Sequence, residues 1–435
     1  LHLCDRRQRQ MCIRDRTKLI WKLFKIVLTL LLAFLMYVVI GGVVPFLHHP
    51  DVSQTKKEAV ESTQFYSDSV GPDRATIIED NEEALKMRLR VIKDAKKTLI
   101  LSTFDFRSDD AGKDILAALL NAADRGVKVE IFADGFNSII QMENNDYFYA
   151  LSSNKNIKII IYNQVNILTP WNGLGRMHDK YVIADDSLYI LGGRNTFGYF
   201  LGDYAGHKNY DRDVLVYNTG SKDSSIYQLK DYYKKITSQK CCSVFHNNES
   251  FGEKNSVKKA EQELKNRYES LENKYDKFLA ENYDYKANTY ETNKINLLSN
   301  PTSLYAKQPT VYYGLMYLAK NAKKEVKIHT PYIICNDYMY NELKNIKVPT
   351  TIMTNSAENN GNIFGAVDYL NHKKDIINTG VTIKEYEGGI SYHGKSTFSY
   401  DRTRMERCIM SFLNYLISGT VSYTHLRAHE TDSYL

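Results

Sequence analysis

The chain is poor in the residues that build metal sites and disulfide frameworks. Six cysteines occur among 435 residues, and none has metal-ligand spacing. Cys241 and Cys242 are adjacent, Cys335 and Cys408 are isolated, and Cys4 and Cys12 lie close to the start. Neither a zinc site nor a disulfide-stapled fold follows from that pattern. No carboxylate cluster calls for a metal either, so neither metal nor cofactor is expected. A formal charge of +6 is too modest to imply a polyanionic partner, and no Lys/Arg stripe interleaved with aromatics tracks a nucleic-acid strand. Charge is missing most conspicuously from residues 26–47, 22 residues without a charged side chain. At 1.5 Å per residue such a run is about 33 Å long, enough to cross a bilayer core.

A buried helix of a soluble protein is seldom apolar on every face over that length. A cleaved signal peptide fits less well, because the run exceeds an ordinary signal core and no A-x-A-like site follows. Residues 17–47 therefore read as a retained single-pass anchor. Lys18, Lys22 and Lys25 precede it, while Lys56 and Lys57 follow at a greater distance among acids. The positive-inside rule then places the body on the extracytoplasmic side of the membrane.

Two short segments carry the chemistry. The first holds His178, Lys180 and Asp185 in the spacing H-x-K-x-x-x-x-D, followed by Gly192-Gly193-Arg194-Asn195. In extended backbone, residues i and i+2 face one side, so His178 and Lys180 are expected to share a pocket. An imidazole beside a fixed cation suits attack on a phosphodiester: the cation neutralises the non-bridging oxygens while the ring attacks or protonates. The second segment holds His393 and Lys395. A third match, His372-Lys373-Lys374, has no Asp at the right distance and lies in a polar, helix-like run; it reads as solvated surface.

The stretches before the two motifs repeat one another. Ala95-Lys96-Lys97 and Ala322-Lys323-Lys324 each end a helix and open a short apolar strand. Two further β-rich runs follow in each half, around residues 126–135 and 346–355, then 156–163 and 380–388. Each half thus reads β-α-β-(α)-β-β, an α/β unit with helices outside the sheet.

The paired motifs resemble the HKD signature of the phospholipase D superfamily, in wording nearest its bacterial cardiolipin synthase-like branch, over roughly residues 83–414. The resemblance implies two similar α/β lobes facing each other across a cleft shared by His178 and His393. It further implies that His178 is the nucleophile and His393 the general acid and later base. Lys180 and Lys395 would bind phosphoryl oxygens, Asn195 would contact phosphate, and Gly193 would let backbone approach the ligand. Asp185 is expected to hold its strand and the imidazole. The second motif departs from the pattern: Tyr400 stands where Asp is expected and Asp401 follows one later, reachable through a one-residue bulge. Asn414 is the counterpart of Asn195. The segments 103–109 and 330–337 resemble the family's cleft-lining strand ends, with no catalytic role for Asp105 or Arg107.

The expected organisation is a non-native tail at 1–16, the anchor at 17–47 and a polar linker at 48–81. A first lobe at 82–250, a helical inter-lobe segment at 251–295 and a second, shortened lobe at 296–420 follow, with a non-native tail at 421–435. Both tails resemble translated adapter sequence, so the i, i+4 pair His425 and His429 carries no metal site. The inter-lobe segment places Leu264, Tyr268, Leu271, Tyr275 and Leu279 at helical spacing, an amphipathic helix expected to pack on the lobes. The function expected is phosphatidyl transfer or phospholipid hydrolysis at a membrane, with phosphatidylglycerol as the favoured substrate. The alternatives are a metal-independent nuclease and a catalytically impaired membrane protein.

Overall fold

A computed structural model describes residues 2–47, 50–246, 249–279, 283–302, 304–360, 363–388, 396–400, 407–410 and 422–428. Its first element is one long helix, α1 (His2–Val43), so the expected tail at 1–16 continues into the anchor without a break. Within α1, Arg16–Val43 is long and apolar enough to cross a membrane, and its most apolar 18-residue stretch has no buried residue.

The first half is built on β1 (Asp73–Ile78), β2 (Thr98–Thr103), β3 (Lys128–Asp134), β4 (Ile157–Tyr162), β5 (Tyr181–Ala184), β6 (Leu188–Gly192), β7 (Asp213–Asn218) and β8 (Cys242–Val244). Strands β2, β3 and β4 are parallel; β5 returns antiparallel to β2 and leads a meander through β6 and β7 to β1. The alternation of side chains divides the core in two. Leu99, Leu101, Val129, Ile131, Ile159 and Ile161 face one cluster with the helices Asn81–Asp94 and Asp110–Asp124. Phe132, Ile160, Tyr162, Tyr181 and Tyr189 face the other, under the helix Ser225–Thr237.

The second half repeats the plan. Strands β9 (Tyr290–Ser299), β10 (Glu325–His329), β11 (Thr350–Asn355), β12 (Thr382–Tyr386), β13 (Ser396–Tyr400), β14 (Arg407–Met410) and β15 (Ser422–Ala428) complete a 15-stranded sheet. Here β10, β11 and β12 are parallel and β13 is antiparallel to β10, as β5 is to β2. The expected duplication is therefore present in strand direction and order. The halves join through β9, which pairs with β1 on one side and β15 on the other.

Three expectations need correction. Residues 48–81 are not a linker: the helix Gln54–Glu61 lies in them, Val52, Val60 and Phe65 are buried in the second half's core, and β1 is interior to the sheet. Apolar residues spaced widely among polar ones concealed that role. Part of the presumed tail, Ser422–Ala428, pairs with both β14 and β9. The bulge invoked for the second motif is absent from the described part of β13, whose register runs unbroken from Ser396 to Tyr400.

The helix Asn255–Lys274 is amphipathic as expected. Leu264, Tyr268 and Leu271 from it, with Tyr275 and Leu279 beyond, are buried in the first half's core. His372 lies part-exposed on the helix Ile363–Ile377 with its ring nitrogen 3.0 Å from the Asp368 carbonyl, a surface arrangement.

Candidate active site

His178 and Lys180 occupy the extended segment immediately before β5, at the edge where the parallel strands β2, β3 and β4 end. Phe104, just past β2, organises both. Its ring centroid is 4.5 Å from that of His178, and the Lys180 ammonium sits 5.4 Å over the same ring. The i, i+2 relation thus brings imidazole and ammonium around one aromatic side chain. Lys180 is 3 % exposed, and Nζ donates to the His178 carbonyl at 2.7 Å, which ties the cation to the backbone that carries the histidine.

Asp179 takes the opposite face. Its carboxylate accepts the Tyr232 hydroxyl at 2.6 Å, and its carbonyl accepts from Ser102 at 3.4 Å. Nearby, Lys307 from the second half is 6 % exposed with no hydrogen-bond partner among the described residues. Burial drives its pKa down to about 7, against the attraction of Asp179 and Cys241.

The approach to His178 is held by Asp134 at the end of β3. One carboxylate oxygen accepts the Met177 N–H at 2.9 Å, and the other accepts from Phe136 N at 2.9 Å and Arg176 at 3.3 Å. Arg176 also donates to the Asn163 carbonyl at 2.6 Å. Burial raises the Asp134 pKa to about 6, with Arg176 and the backbone N–H groups opposing.

Asp185 sits elsewhere. Its oxygens accept the backbone N–H groups of Lys96, Lys97 and Thr98 at 2.8, 2.9 and 2.8 Å. Seven residues of extended chain separate it from His178, about 23 Å at the strand rise. Asp185 therefore holds its strand, as expected, by pinning the start of β2; the expectation that it also holds the imidazole fails on distance. In the second half Ser396 pairs with His329 and Tyr400 with Glu325, as Tyr181 pairs with Ser102. Tyr400 consequently occupies the position of Asp185.

The turn after β6 is locked by buried charge. Arg194, 1 % exposed, bonds the Ile78 carbonyl at 3.0 Å and Asn81 at 3.2 Å, and forms an ion pair with Asp213 at 3.2 Å. Arg88 reaches the same Asp213 oxygen at 2.8 Å. Burial pushes the Asp213 carboxyl up, but Arg88 and Arg194 together outweigh it and hold its pKa low. A Cβ at Gly192 would collide with the backbone of Arg212 and Asp213, so glycine is required there by close approach, whereas one at Gly193 would meet only the end of the Asp211 side chain. Asn195 Oδ1 accepts from Asp105 N at 3.3 Å. Asp105 also binds Arg107 at 2.7 Å, and that guanidinium lies 3.7 Å over Phe197. Asp105 and Arg107 thus brace the Asn195 turn.

His393, Lys395, Asp401 and Asn414 lie outside the described residues. The strand that follows Lys395 begins at Ser396, the same offset by which β5 follows Lys180. At the seam between halves, His329 has its pKa lowered by burial and by Arg212 of the first half, with Glu79 opposing.

Sequence reading did not single out Phe104, Asp134, Arg176, Asp179, Arg194, Asp211 or Asp213. Two of these carried a local signal: Asp179 is the central residue of H-x-K, and Arg194 follows the paired glycines. The carboxylates at 134 and 213 act through partners far along the chain.

Residues 89–236 match the family model described as cardiolipin synthase, PLD-like domain. An uncharacterized protein of Helicobacter pylori (strain ATCC 700392 / 26695) is 26 % identical over 338 residues, covering 72 % of this chain and 65 % of that protein. Cardiolipin synthase B of Salmonella typhi is 31 % identical over 144 residues, 32 % of this chain and 34 % of the enzyme. The chain thus spans about two thirds of the first relative and one third of the second. The crystal structure of phosphatidylserine synthase from Haemophilus influenzae Rd KW20 superposes with a TM-score of 0.54 at 14 % identity, covering 86 % of this chain and 87 % of that one; this likeness concerns the fold. With the H-x-K pocket at the strand ends, these matches assign residues 89–236 to a PLD-like domain of cardiolipin synthase type and support a place for the chain in the phospholipase D superfamily.

Proposed function

We propose that the chain is a membrane-anchored phosphatidyltransferase or phospholipid phosphodiesterase working through a phosphohistidine. The observation that carries this reading is the gathering of His178 and Lys180 around Phe104 at the strand ends, in a domain of cardiolipin synthase type. The His178 imidazole would attack phosphorus, forming a P–N bond as the P–O bond to the departing alcohol breaks. His393 would protonate that alcohol, then take the proton of the incoming alcohol or water as its oxygen displaces the imidazole. Lys180 and Lys395 would hold the non-bridging oxygens as charge builds on them. Asn195, on its braced turn, would donate to the phosphoryl group. Burial of Lys180 supports this role, because a desolvated cation interacts more strongly with phosphate than one in water.

Phosphatidylglycerol is the substrate to test first. The chain in detergent is given fluorescent phosphatidylglycerol without divalent metal, beside His178→Ala. Cardiolipin plus glycerol, reduced at least a thousandfold by the substitution, supports transfer; phosphatidic acid alone supports hydrolysis. Lipid left intact while single-stranded DNA is cleaved overturns the proposal in favour of a nuclease.

A further inference from the structure

We infer that two uncharged turns, residues 135–142 and 164–175, form a rim that enters the surface of a phospholipid bilayer and seats the His178 pocket on it. The inference rests on the proposed lipid function and on α1 as its anchor. Both turns leave the same sheet edge, because β3 and β4 are adjacent and parallel with Asp134 opposite Tyr162. They touch at their bases, where a Cβ on Gly135 would collide with the Asn163 backbone. Asn163 in turn donates to the carbonyls of Asn172 and Gly175 at 2.8 and 2.7 Å, closing the second turn. The chain then runs through Arg176 and Met177, both held by Asp134, directly into His178.

Composition and exposure agree on the solvent this rim meets. Neither turn contains a charged residue, although connections bathed in water are ordinarily polar. Phe136, Ile139, Ile140, Ile167 and Leu168 are 50, 47, 57, 58 and 65 % exposed. Large apolar side chains gathered this way mark a contact surface.

Contact with α1 identifies the occupant as lipid. The Tyr37 hydroxyl donates to the Leu168 carbonyl at 2.8 Å, the Tyr37 and Trp171 rings meet edge-on at 6.5 Å, and a Cβ on Gly41 would collide with Pro170. Counting from Lys25, the last charge before the apolar run, Tyr37 lies about 18 Å and Gly41 about 24 Å along the helix. A hydrocarbon core is about 30 Å thick, so both contacts fall within its far leaflet. On that count the Gly41 contact lies about 6 Å and the Tyr37 contact about 12 Å below the far boundary, at and just beyond the ~5–10 Å to which an interfacial element typically reaches. Tyr37 and Trp171 are also residue types enriched at that level.

The chain has two tryptophans, Trp21 and Trp171, so each can report alone. Full chain carrying Trp21→Phe is placed in phosphatidylcholine–phosphatidylglycerol nanodiscs, one chain per disc. Trp171 is expected to be quenched by shallowly brominated lipid and shielded from iodide relative to the same protein in amphipol. Full iodide access with no bromolipid quenching overturns the inference, including the case in which a second copy of the chain is what normally covers the rim. The Trp171→Phe variant, reporting Trp21, tests α1 separately: an unquenched Trp21 removes the anchor on which the inference stands. Ile167→Asp is expected to lower turnover of bilayer phospholipid on the order of tenfold and to leave a water-soluble short-chain phosphodiester unaffected. Equal loss on both overturns the rim. Failure of the unsubstituted chain on both substrates, with Trp171 still quenched, refutes the enzymatic reading and leaves the rim standing.

Discussion

Replacing Asp185 separates a structural carboxylate from a catalytic one. Its oxygens hold three consecutive backbone N–H groups at the start of β2, and its own φ is +54°. Hydrogen bonds to a charged acceptor contribute about 1.5–3 kcal/mol each when buried, and about 1 kcal/mol at this half-buried position. Asp185→Ala loses all three and places a Cβ residue in the left-handed region, adding about 1 kcal/mol of strain, for a total near 4 kcal/mol. Asp185→Gly relieves the strain and costs about 3 kcal/mol. Asp185→Asn keeps the Oδ1 acceptor for Lys97 and Thr98 and tolerates the positive φ, so about 1–1.5 kcal/mol is lost. Scanning calorimetry should rank the variants Asn, Gly, Ala in increasing damage, with Asn lowering Tm by about 1–2 °C and Ala by about 4–5 °C. Below the transition, Asp185→Asn should keep kcat within about threefold of the parent, since no proton passes through this carboxylate. Loss of kcat by about a thousandfold with an unchanged Tm would refute the reasoning and return Asp185 to the imidazole.

The remaining predictions concern buried charge. Asp213→Asn leaves Arg88 and Arg194 facing a neutral amide and should cost about 3–5 kcal/mol in urea unfolding; a loss below 1 kcal/mol would mean that the two arginines find other acceptors. Lys307 titrates near 7 in the fold against 10.5 when unfolded. The unfolded chain then binds the extra proton between those values, and stability rises with pH across that window. Lys307→Met should flatten the rise and stabilise the protein at pH 6 by about 1–3 kcal/mol. A destabilised variant with the slope intact would place the titration on another group.

Much of the fold was legible locally. The uncharged run of α1, the β-type runs around 98–103, 128–134 and 157–162, and the apolar spacing of 264, 268, 271, 275 and 279 each encode their element through neighbours along the chain. The repeated order of those elements exposed the duplication, and the H-x-K spacing exposed the pocket, because two residues apart in extended backbone is enough to set a shared face. Other features were not legible. Val52, Val60 and Phe65 are spread too thinly to show a period, yet they fill the second half's core. Sequence neighbourhood leads Asp185 to be expected to hold both its strand and the imidazole, whereas its partners are the N–H groups of residues 96–98, which only strand pairing brings within reach.

What the sequence determined by itself is the set of elements and the location of the nucleophile–cation pair, since periodicity and hydropathy are properties of short segments. Tertiary structure decided what holds that pair. Asp134 meets Met177, and Asp213 meets Arg88 from 125 residues away, because folding brings together charges whose cost of burial is offset only by each other. It also decided that the loop before His178 lies against the apolar helix, a contact between segments 131 residues apart that no local pattern encodes.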